Sequence, residues 1–172
     1  MNVDSVSFCV EGNPKSLARA ILSRGKGRSN KVWLRDPNKE SKAEFRAAVQ
    51  RCGIFGGNGQ PRILFDAGSP IVVDISFHVK TPQDHFVNCN QAGGQIKVSA
   101  CTKWPTKPDI DNLDKFVLDA LQGFIFANDS QVVQQTIYKG YHHEPPFIGQ
   151  TIVSIHRADR FRNCSALGSL QG

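Results

Sequence analysis

The residues with the clearest chemical potential lie in Lys107-Pro108-Asp109-Ile110-Asp111-Asn112-Leu113-Asp114-Lys115 and, further on, Asp129-Ser130-Gln131-Val132. Pro108 biases Lys107 toward extended backbone. If Asp109 to Asp111 is extended as well, both carboxylates point to one side, because strand side chains repeat every two residues. Asp111 falls at a helix entrance, where unpaired N–H groups favour an acid. Lys115 follows it by one helical turn. Asp129 sits in a turn leading into the next strand, and a strand returning beside the helix would carry it back to the Asp109/Asp111 pair. Three converging carboxylates repel one another unless a cation lies between them. Hard oxygen donors without His or Cys suit Mg²⁺, with Mn²⁺ as a substitute, rather than zinc. Such a site, open to phosphate oxygens and water, is apparatus for phosphodiester hydrolysis by metal-activated water. A lysine beside it neutralises charge building on the phosphate.

Each residue also has a structural reading. Asp111 serves as an N-cap, Asp129 as a turn former, and Lys115 as half of an i,i+4 pair worth about 0.2–0.5 kcal/mol. Taken together, with a basic segment elsewhere in a small chain, the set favours the metal.

The elements that must position these residues follow from periodicity. Val6–Val10 and Lys31–Leu34 read as short strands. Lys39–Cys52 is helical, with Ala43, Ala47 and the pair Phe45/Val49 recurring every four residues and Gly53 ending it. Ile71–Val79 alternates, placing Ile71, Val73, Ile75, Phe77 and Val79 on one face of a half-buried strand. Pro82–Thr106 shows no period and is too long for an ordinary connection, so it is a functional flap or partly disordered, with Ile96–Ser99 as a small strand inside it. Leu113, Phe116, Val117, Ala120 and Leu121 mark a core-facing helix closed by Gly123. Val132–Tyr141 and Ile148–His156 are two last strands joined by the turn His142–Pro146. The fold class is therefore α+β: a small, mostly antiparallel sheet with two main helices. One domain covers residues 1–157, with a basic arm at about 15–35, a flap at about 82–106 and a polar tail at 158–172.

Charge is uneven. Residues 1–62 hold 12 Lys/Arg against 5 Asp/Glu, and the remainder 9 against 10, within a net charge of +6. The excess centres on Arg19, Arg24, Lys26, Arg28, Lys31 and Arg35, interleaved with Gly and Ser, the composition of a cationic arm for polyanions or of a solvated hairpin. The five cysteines form no Cys-x-x-Cys pair, which argues against a disulfide framework and a zinc site. Met1–Asp4 lacks a secretory n-region and no apolar run spans a membrane, so an intracellular protein is expected. His142 and His143, adjacent on a strand, point to opposite faces and share no ion. Trp33 and Trp104 either stack on unpaired bases or, more commonly, belong to a core or interface.

The spaced set Lys-Pro-Asp-Ile-Asp-Asn-Leu-Asp-Lys, Asp-Ala-Leu-Gln-Gly and Asn-Asp-Ser-Gln-Val resembles the RusA-type Holliday junction resolvases. Val-Glu-Gly-Asn-Pro-Lys at 10–15 extends the likeness more weakly to the start, over roughly residues 6–157. The resemblance implies a homodimeric, Mg²⁺-dependent endonuclease that cuts four-way DNA junctions by paired symmetric nicks, leaving a 5′-phosphate and a 3′-hydroxyl. Asp109 and Asp111 match the first metal-binding carboxylates, Lys115 the active-site lysine and Asp129 the second Asp of an Asp-Asp pair. Asp119 matches a supporting position. Asn128 departs from that pair, and the 82–106 insertion is longer than usual.

The expectation is thus a crossover-junction endodeoxyribonuclease of DNA recombination and repair. Asp109, Asp111 and Asp129 hold the metal, and Lys115 acts on the phosphate. Lys15, Arg19, Arg24, Lys26, Arg28, Lys31, Arg35 and Lys107 contact DNA. The alternative is a binder of branched DNA that does not cut.

Overall fold

The computed structural model describes residues 3–19, 21–24, 32–56, 61–89 and 94–158. Lys26, Arg28, Lys31 and the tail from 159 lie outside the described residues, as do the side chains of Arg24, Trp33 and Arg35.

Four strands form the main sheet: β1 (Ser5–Glu11), β4 (Ile71–Lys80), β5 (Val132–His142) and β6 (Gln150–Arg157). Their spatial order is β1-β6-β4-β5. The β1–β6 and β6–β4 pairings are antiparallel and β4–β5 is parallel. A separate hairpin, β2 (Ile21–Arg24) with β3 (Val32–Arg35), lies within the basic arm. The two helices are α1 (Lys39–Arg51) and α2 (Ile110–Leu121). This is the α+β arrangement that the periodicities predict.

One continuous core joins both helices to one face of the sheet. Phe8 from β1, Val73, Ile75 and Phe77 from β4, Val153 and Ile155 from β6, Phe45 and Val49 from α1, and the α2 stripe Leu113, Phe116, Val117, Ala120, Leu121 all belong to it. The alternation along β4 places Ile71, Val73, Ile75, Phe77 and Val79 inward, as expected. Burying each large apolar side chain of α2 contributes about 1.5–3 kcal/mol, so the helix is fixed by its stripe.

Some expectations change. Ala43 and Ala47 are exposed, and α1 buries only Phe45 and Val49. Ile96 forms a single bridge with Phe86, and Val98–Ala100 is a 3₁₀ turn instead of a strand. The last two strands do not form a hairpin, because β4 lies between them. The connection crosses the end of β4, where Gly149 comes so close that a Cβ would meet His78 O at 2.9 Å and the Lys80 nitrogen at 3.0 Å. Only glycine fits there, at a φ of +90°. His142 is buried and its Nδ1 accepts from Gly149 N, whereas His143 is exposed.

The described part of the 82–106 segment is ordered. Val87 N donates to Gln95 O, Lys97 N to His85 O, and Lys103 N to Ala100 O. Phe86 is buried edge-on to Phe147, with ring centroids 4.9 Å apart. Among the described residues no helix is long and apolar enough to cross a membrane.

Candidate active site

Helix α2 starts at Ile110, so Asp109 is its N-cap, in extended backbone at φ −65° and ψ 140°. N-cap carboxylates ordinarily accept from the first-turn N–H groups. The Asp109 carbonyl accepts from Leu113 N at 3.2 Å, but its carboxylate makes no such bond, nor any other hydrogen bond or ion pair among the described residues, and it is exposed. Asp111 lies in the first helical turn, so the period-two argument for a shared face does not hold: only Asp109 is extended. Lys115 Nζ meets Asp111 Oδ2 at 3.3 Å, with both side chains 60% exposed. That is the predicted i,i+4 pair.

Asp129 stands elsewhere. It opens a 3₁₀ turn, Asp129–Gln131, that leads into β5. This turn follows the C-terminal end of α2. Its cap is Asn128, whose Oδ1 accepts from Ser130 N at 3.0 Å, while Gln131 Oε1 accepts from Asn128 N at 2.8 Å. An Asp at 128 would cap equally well, so Asn keeps the geometry and removes a charge. Buried Gln131 donates to Asp66 O and Ser69 O at 2.7 and 2.9 Å, which locks the turn onto the segment before β4. The Asp129 carboxylate is exposed and uncommitted among the described residues.

From that turn β5 runs back along α2 toward its start. Gln135 Nε2 donates to Asp114 Oδ1 at 2.5 Å. Further along, Lys139 Nζ donates to Pro108 O at 2.9 Å and Thr106 O at 3.4 Å. These anchors order the two elements antiparallel. The 12 residues of α2 span about 18 Å. Asp109 and Asp111 therefore lie at one end of α2 and Asp129 at the other. Among the described residues no three His, Cys, Asp or Glu side chains gather into a metal-holding group within the single chain.

Sequence reasoning missed the residues that set this frame. Lys139 holds the backbone just before Asp109, and Gln135 holds Asp114. Burial pushes the Asp114 carboxyl above its ordinary value, while the Gln135 hydrogen bond pulls the other way. Asn38, buried, clamps Ala18 with both amide atoms, accepting from its N and donating to its O at 2.8 Å each. Leu17 N donates to Asn112 O at 2.9 Å. The only signal for any of these was a polar residue interrupting an apolar alternation, as Gln135 and Lys139 do around Ile137.

Leu17 thus ties the start of the basic arm to the first turn of α2, and Ala18 ties it to Asn38 at the N-terminus of α1. Lys15 and Arg19 flank them, both exposed, and Lys107 is exposed two residues before Asp109. Of the predicted DNA contacts, these three are the ones whose side chains are described. A cleft of about 330 Å³ opens beside Lys15 between β1 and α1. Its charged lining is balanced, Glu11 and Glu44 against Lys15 and Arg51, which does not suit a polyanion. Asp119, the supporting position, is bridged by Lys42 Nζ at 3.1 Å, and Lys42 also reaches Asp36 at 3.4 Å.

The family described as endodeoxyribonuclease RusA matches residues 11–153, most of the chain and all of this frame. The chain belongs to the RusA endodeoxyribonuclease family. Among its curated relatives is "Uncharacterized protein YqaN" of Bacillus subtilis (strain 168), 30% identical over 143 residues, covering 83% of this chain and 92% of the relative. The RusA match spans both ends of α2, the pinned turn at Asp129 and the whole flap. RusA-type nucleases act on branched DNA junctions and are generally dependent on divalent metal.

Proposed function

We propose that this chain is a Mg²⁺-dependent endonuclease that resolves four-way DNA junctions as a homodimer, by paired symmetric nicks. Residues 1–157 form the endonuclease domain and 158–172 a polar tail. The observation that carries the reading is the division of the acidic set. Asp109 and Asp111 stand at one end of α2 and Asp129 at the other, all exposed, with Asp109 and Asp129 uncommitted. A two-fold axis across α2 pairs the start of one helix with the end of its mate, as an isologous interface requires. Each complete site then takes Asp109 and Asp111 from one protomer and Asp129 of the partner subunit. The donor set is all hard oxygen, which fits Mg²⁺ or Mn²⁺. A metal bound there supplies Lewis-acid activation of water and neutralises the leaving oxygen.

The chain's own residues do the rest. Lys115 needs only to leave an exposed ion pair, worth little in water, to reach a phosphate oxygen. Lys139 fixes the carbonyls before Asp109 and so sets the direction of that carboxylate. Lys15, Arg19 and Lys107, with Arg24, Lys26, Arg28, Lys31 and Arg35 of the arm, hold phosphates and orient the junction. Two sites related by the dimer axis face two opposed strands of a roughly two-fold junction, which is the reason for paired cuts.

The test is complementation. Asp109→Asn and Asp129→Asn should each lose about a hundredfold or more in nicking with Mg²⁺, since removing a ligand exceeds the cost of removing a ligand's support. Junction binding should persist. Mixed and allowed to exchange subunits, the two variants should regain nicking of one strand per junction, because each mixed dimer rebuilds one site. A mixture as inactive as its parts would overturn the shared site, and parental rates in either variant would overturn the assignment. A wild-type chain that binds junctions but never nicks them with Mg²⁺ or Mn²⁺ would be the non-cutting binder instead.

A further inference from the structure

Two large apolar side chains stand in solvent on the described part of the flap: Trp104, 76% exposed, and Val98, 88% exposed. The scaffold beneath them is not loose. Ala100 and Pro105 are buried, and Thr106 O is held by Lys139. An indole presented on a fixed backbone is a large apolar plate available to a partner.

The surroundings select that partner. Residues 94–108 contain Lys97, Lys103 and Lys107 and no Asp or Glu. Lys97 is spent on Asp84 O at 2.7 Å, but Lys103 and Lys107 are exposed and flank Trp104. An aromatic plate with a free cation on either side of it in the chain is the arrangement that stacks a base while holding the phosphates on either side. The plate lies close to the site. Asp109 is five positions after Trp104, at most about 17 Å of chain, or about five bases at 3.4 Å per base.

We propose that Trp104 is a stacking platform for an unpaired DNA base beside the cut, and that it makes the chain prefer branched or locally melted DNA over intact duplex. In a duplex every base already stacks on its neighbours. At a branch point bases lose a neighbour, and an indole replaces it. The inference rests on the nuclease reading for the position of the cut, not for the contact itself.

The experiment compares wild type, Trp104→Ala and Trp104→Phe for binding, without added metal, to a four-way junction with unpaired bases at its centre and to linear duplex. Trp104→Ala should weaken junction binding about tenfold and change duplex binding less than about twofold. Trp104→Phe should keep most of the affinity. Emission of Trp104 in a Trp33→Phe background should be quenched by the junction and not by duplex. If that background does not fold, 2-aminopurine placed at the branch gives the same reading in the native chain. Equal loss on both DNAs, or no loss and no quenching, would overturn the platform. So would a Trp104→Ala protein that sediments as a different oligomer, since the indole would then belong to a subunit contact. Normal nicking with unaltered Trp104→Ala binding sinks the platform alone. Selective quenching without nicking by wild type sinks the nuclease reading and leaves the platform standing.

Discussion

The two ends of α2 treat their polar groups in opposite ways. At the C-terminal end nearly everything is paired. Arg46 donates to Ala120 O and Gln122 O at 2.5 and 3.1 Å, Lys42 bridges Asp119 to Asp36, and Gln131 fills two carbonyls with its amide. At the N-terminal end Asp109 caps nothing, Lys103 and Lys107 project into solvent, and the Asp111–Lys115 pair is exposed. The helix needs its closing carbonyls satisfied to end where it does. Its opening charges are left free for something outside the chain. Asp129 is the exception at the C-terminal end, a free carboxylate on a locked turn, and the proposed homodimer rests on that exception.

The contrast breaks most readily at Lys115. Lys115→Ala should lower nicking by about a hundredfold, the scale of losing one charge-stabilising donor. It should change unfolding free energy by only about 0.2–0.5 kcal/mol, measured by urea titration. A variant that unfolds instead would make the pair structural and the two ends alike. Gln131→Ala tests the other end. Leaving Asp66 O and Ser69 O unpaired should cost about 1–3 kcal/mol of stability, again by denaturant titration. Nicking should fall as well, because Asp129 loses its mount. Unchanged stability would mean that the turn is not locked by this side chain.

The smallest effect concerns pH and sharpens the contrast away from both ends. His78 and His85, on β4 and in the flap, are held below the ordinary histidine value, chiefly by burial. His85 Nδ1 is buried without a hydrogen-bond partner, and its ring stands edge-on to Tyr141. Below the ordinary value of 6.5 the unfolded chain takes up protons that the folded chain resists. Stability is therefore complete above that pH and declines as pH falls toward the lowered values. The melting temperature should drop modestly between pH 7 and pH 5.5, and His85→Phe should flatten that drop. A melting temperature that rises on acidification would reverse the assignment.

Much of the fold was legible in the residues. The β4 alternation, the α2 stripe and the glycine after each helix are local patterns, set by the two- and 3.6-residue repeats of the backbone, and the structure keeps them. The acidic motif was legible too, because its residue types and spacing carry chemistry whatever their final placement. Strand order was not. Alternation says that a strand has a buried face but not which neighbour covers its edge, so the β5–β4–β6 crossing came only with Gly149 packed over the end of β4. Nor did spacing reveal that α2 holds Asp129 apart from Asp109 and Asp111. The sequence by itself determined which acidic side chains are on offer and which faces would be buried. The tertiary structure decided which of them meet, since a helix is a rigid spacer and its two ends cannot converge within one chain.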